Sequence, residues 1–234
     1  MREKWSGSNE AGSNGAIGVT INTHALQLPL SDEAVRRLAV GDQVRITGNI
    51  TISIGLPTHK RMLADLEAGQ ELPLDLRGGA FFHLSSYLED AADGGLPRAL
   101  YMNPSTSTRY NAYMPGLIRR LGLRMVGGKG GLDATSVASM KETGCVYLSF
   151  LGGGCPLLSE AIQSVVSSHW NEYISQFRLV TLRVRDLAAT VAIDARGNSL
   201  YENLHQRAAD RLPQIREELK RQRELAQPSP QPSK

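Results

Sequence analysis

Residues 103–109 place four consecutive hydroxyl side chains before Arg109, directly after a predicted strand. A guanidinium with hydroxyls beside it suits a carboxylate or a phosphate, because arginine can donate two parallel hydrogen bonds to such a group. The same residues would also fit a turn rich in serine and threonine that carries a surface arginine. Spacing alone leaves both interpretations open.

A second segment, Gly127–Gly131, is rich in glycine and carries Lys129 at its centre. Glycines let backbone N–H groups point at a ligand, and the lysine adds a positive charge, so an anion again fits. The spacing is not that of a Walker P-loop. A glycine-rich turn with a solvated lysine is the alternative interpretation.

Other residues give weaker signals. The segment Gly152–Pro156 lies at a predicted strand-to-helix junction, where free N–H groups can bind an anion or simply form a close-packed turn. The ordinary pKa of histidine lies near neutrality, so His59 could exchange protons, or it could be a surface or capping residue. The remaining histidines have no metal-ligand spacing; they are His24, His83, His169 and His205.

The composition excludes several classes of protein. A chain of 234 residues with 41% hydrophobic and 21% charged residues is typical of one globular domain. A net charge of +3 does not indicate nucleic-acid binding, and no run reaches the roughly 20 apolar residues of a membrane span. The two cysteines form no disulfide framework and favour the cytoplasm.

The pattern of the chain predicts an α/β layered domain over residues 17–204, with a flexible N-terminal arm (1–16), a helical segment (205–226) and a disordered tail (227–234). Ser31 is expected to cap a short helix that Gly41 ends, and Val44–Ile54 alternates as a half-buried strand does. The other expected elements follow in chain order. They are strands at Ala80–Leu84, Ala99–Met102, Arg124–Val126 and Cys145–Leu151, a helix at Leu157–Val166, strands at Leu179–Val184 and Thr190–Ile193, and a helix at Leu204–Leu225 that Pro213 kinks or breaks.

Several motifs, taken together and in order, resemble the C-terminal domain of class I fumarases and the β subunit of L-tartrate dehydratase. Asn103–Arg109 resembles the family's Gly-Pro-Thr-Thr-x-x-Arg, and Gly128–Gly131 matches its Gly-Lys-Gly. Ala192–Tyr201 resembles the closing Ile-Asp-x-x-Gly-Asn-x-Leu-Tyr. Val40–Val44, Gly144–Leu158 and His169-Trp170 extend the resemblance, which covers about 26–201.

The resemblance implies a single swivelling β/β/α domain that closes over a partner, the α subunit. In the family a [4Fe–4S] cluster of the partner binds the hydroxyl and carboxylate of a small carboxylic acid. The implied assembly is αβ or α2β2. Carried over by position, the catalytic residues would be Ser105, Thr106 and Lys129, and the substrate-binding residues Arg109, Lys129, His59, Gly128 and Gly130. Ser105 stands where the family has a threonine proposed as catalytic base.

The chain departs from the family at Gly55 and Leu56, where the family has an arginine and an aspartate; the histidine that follows is kept as His59. Loss of that arginine favours a substrate with one carboxylate fewer, or with a bulkier group facing Gly55. A hydro-lyase subunit is therefore the leading hypothesis. A non-catalytic binding domain on the same scaffold and an independent enzyme that needs no cluster are the alternatives.

Overall fold

The structure is a computed structural model, and it describes residues 22–226 of the chain. The predicted arm (1–16) and the predicted tail (227–234) lie outside the described residues.

Nine strands and six α-helices alternate along the described part of the chain. The strands are β1 (Thr23–Gln27), β2 (Gln43–Ile52), β3 (Ala80–Phe82), β4 (Leu84–Glu89), β5 (Arg98–Pro104), β6 (Met125–Gly128), β7 (Val146–Ser149), β8 (Ile162–His169) and β9 (Leu179–Ile193). The helices are α1 (Asp32–Arg36), α2 (Leu56–Glu67), α3 (Met114–Leu121), α4 (Ala134–Thr143), α5 (Cys155–Ser159) and α6 (Leu200–Ala226).

Seven strands form one sheet in the order β1-β2-β3-β6-β7-β9-β8, and β4 pairs with β5 in a separate hairpin. Strands β1, β2, β3, β6 and β7 run parallel to one another, whereas β9 is antiparallel to β2, β7 and β8. The additional pairing of β2 with β9 closes β2, β3, β6, β7 and β9 into a ring. The predicted α/β class is confirmed.

The core lies on both faces of this sheet because its strands alternate their apolar side chains. On β3, Phe82 joins the cluster between the strands of the ring, and Phe81 joins the cluster beneath the helices. Helix α3 covers the second cluster with Met114 and Leu117, both fully buried. The carboxyl ends of the parallel strands are left for the loops, as in other α/β proteins.

The predicted cap of the first helix is confirmed, since the Ser31 side chain accepts a hydrogen bond from the Ala34 amide at 3.2 Å. The helix ends at Arg36, five residues before Gly41. Strand β2 alternates buried and exposed residues as predicted, and its register shifts at Gly48.

Two predictions about the later elements are wrong. The helix predicted at Leu157–Val166 is the short α5 followed by β8, because the hydroxyl and β-branched residues from Ile162 onward pair with β9. The two late strands are one, since the residues between them continue the ladder with β2. The predicted final helix is confirmed as α6, which begins four residues earlier, at Leu200, and is not broken at Pro213.

The predicted boundary between residues 204 and 205 falls inside α6. The first residues of this helix pack on the domain, whereas the side chains of residues 202–224 are exposed.

Candidate functional site

The two predicted anion-binding segments lie side by side at the carboxyl ends of β5 and β6. The amide of Lys129 donates to the carbonyl of Ser105 at 2.9 Å, and the amide of Ser107 donates to the carbonyl of Lys129 at 2.8 Å. The amide of Ser105 donates in turn to the carbonyl of His83 at 2.8 Å. The backbone ladder therefore fixes the hydroxyl loop against the glycine loop.

Neither cation of these loops has an ion-pair partner in the part of the chain that the structure describes. Lys129 is partly buried and Arg109 is exposed, and within residues 22–224 neither forms an ion pair. Lys129 lines an open groove of about 600 Å³ together with Gly130, Ser149, Gly152 and Tyr201. Unpaired cations beside hydroxyls can take up a carboxylate without first breaking a salt bridge.

Close packing explains two of the glycines. A Cβ at Gly128 would lie 2.3 Å from Ser107 Oγ and 2.9 Å from the Ser105 carbonyl oxygen, so no larger residue fits. Gly131 has φ +77°, and a Cβ there would lie 2.5 Å from the ring of Tyr201. Gly130 is exposed and has φ +81°. Gly128 thus serves the contact between the two loops.

A row of buried polar side chains lies beneath the loops. His83 Nδ1 is 2.8 Å from Ser107 Oγ, which is 2.8 Å from the hydroxyl of Tyr147. The amide of Gly131 donates to that hydroxyl at 3.3 Å. Burial raises the pKa of Tyr147, so the phenol keeps its proton.

His59 lies in the same buried region and not at the surface. Its Nδ1 is 2.7 Å from the carbonyl oxygen of Gly55, and its ring stacks on Tyr110 at a centroid distance of 4.1 Å. Burial lowers the pKa of His59 to about 4, against the opposing effect of the Gly55 carbonyl. A buried, neutral imidazole supports the loops from below and has no direct path to a ligand above them.

His83 and Tyr110 complete this cluster. The rings of His59 and His83 lie 5.2 Å apart, and burial lowers the pKa of His83, with the neighbouring His59 adding to the effect. The Tyr110 hydroxyl donates to the carbonyl of Ile54 at 2.6 Å. Burial raises the pKa of Tyr110, and the Ser105 hydroxyl beside it acts in the opposite direction.

The corner at Gly55, where the family has its arginine, is closed. A Cβ at Gly55 would lie 2.5 Å from Thr58 Oγ1 and 2.8 Å from the Cβ of Phe177. Thr58 also donates a hydrogen bond to the carbonyl of Phe177. Phe177 therefore occupies the space that an arginine side chain would need. The prediction that a bulkier substrate group faces Gly55 is wrong, because Phe177 and Thr58 leave no space for such a group.

An arginine of helix α2, which begins at this corner, is already engaged. Arg61 contacts Glu172 at 2.6 Å, and its guanidinium lies 4.4 Å from the ring centroid of Trp170. The hydrogen bond that Arg61 donates to Glu172 raises the pKa of Arg61. Arg61 thus ties α2 to the turn after β8 and is not available to a ligand in the way that Arg109 is.

The segment Gly152–Pro156 places a glycine beside Lys129, and its cysteine shows no feature of a nucleophile. Gly152 approaches Lys129, since a Cβ there would lie 3.7 Å from Lys129 Cδ. Cys155 is partly buried at the start of α5, and its Sγ lies 3.7 Å from Ser159 Oγ. No histidine is among its hydrogen-bond partners in residues 22–226.

The donor set of this chain does not fit a cubane cluster. Cys145 is buried and burial raises the pKa of its thiol, which leaves Cys155 as the one partly accessible sulfur of the chain's two. Such a cluster takes three or four thiolates. In the described residues no group of three or more histidine, cysteine or carboxylate side chains could hold a metal ion.

Among residues 22–226, even the longest helix, α6, is too polar for a lipid interior, and no helix qualifies as a membrane span.

Sequence reasoning missed three members of the site. His83 was treated as one of several scattered histidines, and Ser107 and Tyr147 were given no role of their own. The sequence feature that could have indicated them is Tyr147, because its hydroxyl lies within an apolar strand and needs a buried hydrogen-bond partner. The partner could not be named, because Ser107 is forty residues away in the chain.

The sequence of this chain matches the model of one protein family. The family model described as Fumarase C-terminus matches residues 2–204. A Geobacillus stearothermophilus protein named "Putative fumarate hydratase class I" is 32% identical over 192 residues, which is 82% of this chain but 36% of that protein. The chain therefore spans little more than a third of the length of this relative.

Two further relatives match nearly end to end. A Methanocaldococcus jannaschii protein named "Putative L(+)-tartrate dehydratase subunit beta" is 26% identical over 80% of this chain and 95% of its own length. The L(+)-tartrate dehydratase subunit beta of Escherichia coli K12 is 26% identical over 83% of this chain and 94% of its own length. The exposed part of α6 lies beyond the match to the family model.

Proposed function

Because this chain belongs to the fumarase C-terminus family, we propose that it is the small, β-type subunit of a hydro-lyase that adds or removes water on a hydroxy-acid. The observation that carries the proposal is the backbone ladder between Ser105, Ser107 and Lys129. It joins the backbone of the hydroxyl loop, which also carries Arg109, to the backbone at Lys129.

In this proposal Arg109 and Lys129 bind the carboxylate of the substrate. A hydrogen bond to a charged group contributes roughly 1.5–3 kcal/mol. Arg109 lies in the 3-10 turn Ser107–Tyr110, and its side chain is exposed. Backbone N–H groups of Gly128 and Gly130 are proposed to lie near the bound anion, in keeping with their place in the glycine loop.

Ser105 and Thr106 are the proposed groups for proton exchange at the substrate. An unassisted hydroxyl is a poor base, so Ser105 needs a neighbour that changes its environment. Tyr110 is such a neighbour, because its pKa responds to the Ser105 hydroxyl. His59 is proposed to act indirectly, through its stacking on Tyr110.

We propose that a [4Fe–4S] cluster belongs to the assembled enzyme and is held by a separate α subunit. The two relatives matched end to end are named subunit beta, which implies a second subunit. This chain offers too few thiols to hold the cluster itself. When bound, such a cluster supplies a Lewis acid for the substrate's oxygen atoms. An αβ or α2β2 assembly is proposed on the same resemblance.

The proposed substrate is a small hydroxy-acid with one carboxylate fewer than fumarate or tartrate offers to the family site. The family's arginine is absent at Gly55, and Phe177 and Thr58 fill the space. The proposed location is the cytoplasm, because both cysteines are free thiols, as is usual in a reducing compartment.

The closed corner at Gly55 also favours a second candidate, a non-catalytic binding domain that kept the scaffold. The assembled enzyme, purified anaerobically from its native host, separates the two. It is offered fumarate and a panel of monocarboxylic and dicarboxylic hydroxy-acids, and formation or loss of the carbon–carbon double bond is followed by ultraviolet absorbance.

Turnover of a monocarboxylic hydroxy-acid, with fumarate processed much more slowly, supports the proposal. Turnover of fumarate at least as fast as any monocarboxylate would contradict the substrate assignment. Binding of a hydroxy-acid without any turnover would favour the second candidate.

A further inference from the structure

Four polar side chains are fully buried in a row between the glycine loop and the Gly55 corner: Tyr147, Ser107, His83 and His59. The first three are joined by two contacts of 2.8 Å each. The two imidazole rings lie 5.2 Å apart. Buried polar groups are nearly always hydrogen-bonded. The donor and the acceptor of each bond in this row can therefore be assigned, starting from the backbone groups at its two ends.

The backbone amide of Gly131 fixes the first end, because an amide N–H can only donate. The Tyr147 oxygen accepts from it at 3.3 Å, and the proton of Tyr147 then needs an acceptor. Ser107 Oγ is that acceptor, because among residues 22–226 it is the one side-chain oxygen that meets the distance and angle of a hydrogen bond to the Tyr147 hydroxyl, at 2.8 Å. The proton of Ser107 consequently points to His83 Nδ1, and the ring proton of neutral His83 is on Nε2.

The backbone carbonyl of Gly55 fixes the second end, because a carbonyl can only accept. His59 Nδ1 therefore carries the ring proton, and its Nε2 is a bare acceptor. Neither His59 Nε2 nor His83 Nε2 has a hydrogen-bond partner among residues 22–226. One is thus a donor and the other an acceptor, and the two unpartnered atoms are complementary.

We infer that Tyr147, Ser107 and His83 form a hydrogen-bond chain of fixed direction, which runs toward His59 and positions the two proposed substrate loops. The chain joins the glycine loop at Gly131 to the hydroxyl loop at Ser107. Its consequence for catalysis rests on the proposed function, because these are the loops proposed to hold substrate. Ser107 and Tyr147 are positioning residues, since their hydroxyls are buried away from any ligand.

Histidine tautomers test the direction of the chain. The full-length protein with ¹⁵N-labelled histidine is examined by long-range ¹H–¹⁵N correlation spectra, with each ring assigned through a single substitution of that histidine. We expect the Nδ1–H tautomer for His59 and the Nε2–H tautomer for His83. An Nδ1–H or doubly protonated His83 near neutral pH would overturn the inferred direction.

Kinetics of the assembled enzyme test the positioning role. Ser107→Ala should lower kcat roughly tenfold while KM changes less than twofold, because the loops lose their alignment but keep their charges. The matched control is Ser86→Ala, which removes a buried serine hydroxyl that has no partner within the described residues. Equal kinetics for the two variants would overturn the positioning role.

Tyr147→Phe is the second variant, in case Ser107→Ala does not fold. It removes the hydroxyl that accepts from Gly131, and kcat should again fall with little change in KM. An unchanged kcat in folded Tyr147→Phe would count against the inference. The tautomer result does not depend on any activity. An inactive wild-type assembly with the expected tautomers would therefore refute the proposed function while the hydrogen-bond chain stands.

Discussion

Two parts of the proposed substrate region differ in how their basic side chains are paired. One part is the loop pair, Ser105–Arg109 with Gly127–Gly131, and the other is the corner around Gly55 and Arg61. In the loops, Arg109 and Lys129 have no ion-pair partner within the described residues. At the corner, Arg61 is paired with Glu172 and stacked on Trp170.

This difference shows that a basic side chain alone does not make a ligand site. The loops hold their cations with backbone hydrogen bonds, which leave the charge free for an incoming anion. The corner uses its cation for the fold, and Phe177 fills the remaining space beside Gly55. The loops therefore leave their cations unpaired within the described residues, whereas the corner uses its cation to join two parts of the fold.

The largest expected effect comes from removing the charge in the glycine loop. Lys129→Ala should lower kcat/KM of the assembled enzyme by roughly 100-fold or more, because a preorganised cation at the reacting site is lost. Steady-state kinetics measure it. Lys220→Ala, on the exposed face of α6, is the control and should stay within about twofold of wild type.

A change of shape at constant charge should have the next largest effect. Arg109→Lys removes the two-pronged donor and should raise KM by roughly 10- to 100-fold, in line with the loss of about 1.5–3 kcal/mol. An unchanged KM would contradict the difference between the two regions, because Arg109 would then have no more effect on substrate binding than Arg61.

Restoring the family's arginine at residue 55 should destabilise the chain. Gly55→Arg should lower the free energy of unfolding by about 1–3 kcal/mol, because its Cβ would meet Thr58 and Phe177. Denaturant unfolding of the chain measures it. Leu56→Arg is the neighbouring control, where the replaced side chain is 47% exposed and the cost should be small. A stable Gly55→Arg that gains affinity for dicarboxylates would show that the corner is still a binding site.

The buried histidine should make the corner sensitive to acid. Because the pKa of His59 is about 4 in the folded chain and about 6.5 when unfolded, the unfolded state takes up the proton first as the pH falls. Stability should therefore be complete above about pH 7 and decline as the pH falls from 6.5 to 4. His59 should contribute a slope approaching about 1.4 kcal/mol per pH unit, and His83, which is also buried with a lowered pKa, should add to it. Unfolding at a series of pH values measures the slope. His59→Asn should reduce it, and His169→Gln should leave it unchanged.

The smallest effect should come from the ion pair of the corner. Arg61→Gln should change the free energy of unfolding by no more than about 1 kcal/mol, because both Arg61 and Glu172 are well exposed to solvent. KM of the assembled enzyme should stay the same. A rise in KM comparable to that of Arg109→Lys would remove the distinction between the two regions.

Local patterns predicted part of the fold. The Ser31 cap and the alternation of β2 depend on neighbouring residues, and both are confirmed. Helices α2, α3 and α4 were not predicted, since their apolar residues are interrupted by glycine, proline and hydroxyl residues. Residues 157–166 were misassigned because short apolar segments fit a helix or a strand, and the partner that decides, β9, comes later in the chain.

The site divides in the same way. Ser105, Arg109 and Lys129 belong to short motifs, so sequence could predict that they share a region. The backbone ladder joins Ser105 to Lys129, and Arg109 lies on the same loop as Ser105. The chain of Tyr147, Ser107 and His83 depends on contacts between three separate strands and loops, which no spacing along the sequence reveals. The closure of the corner by Phe177 is hidden for the same reason.

The most direct measurement is an anaerobic affinity purification of this chain from its native host, with mass spectrometry of the bound proteins and analysis of iron and sulfide. The account predicts one stoichiometric partner that is rich in cysteine and carries about four irons, together with dehydration of a hydroxy-acid by the complex. Recovery of the folded chain alone, free of iron and inactive on every hydroxy-acid tested, would contradict it.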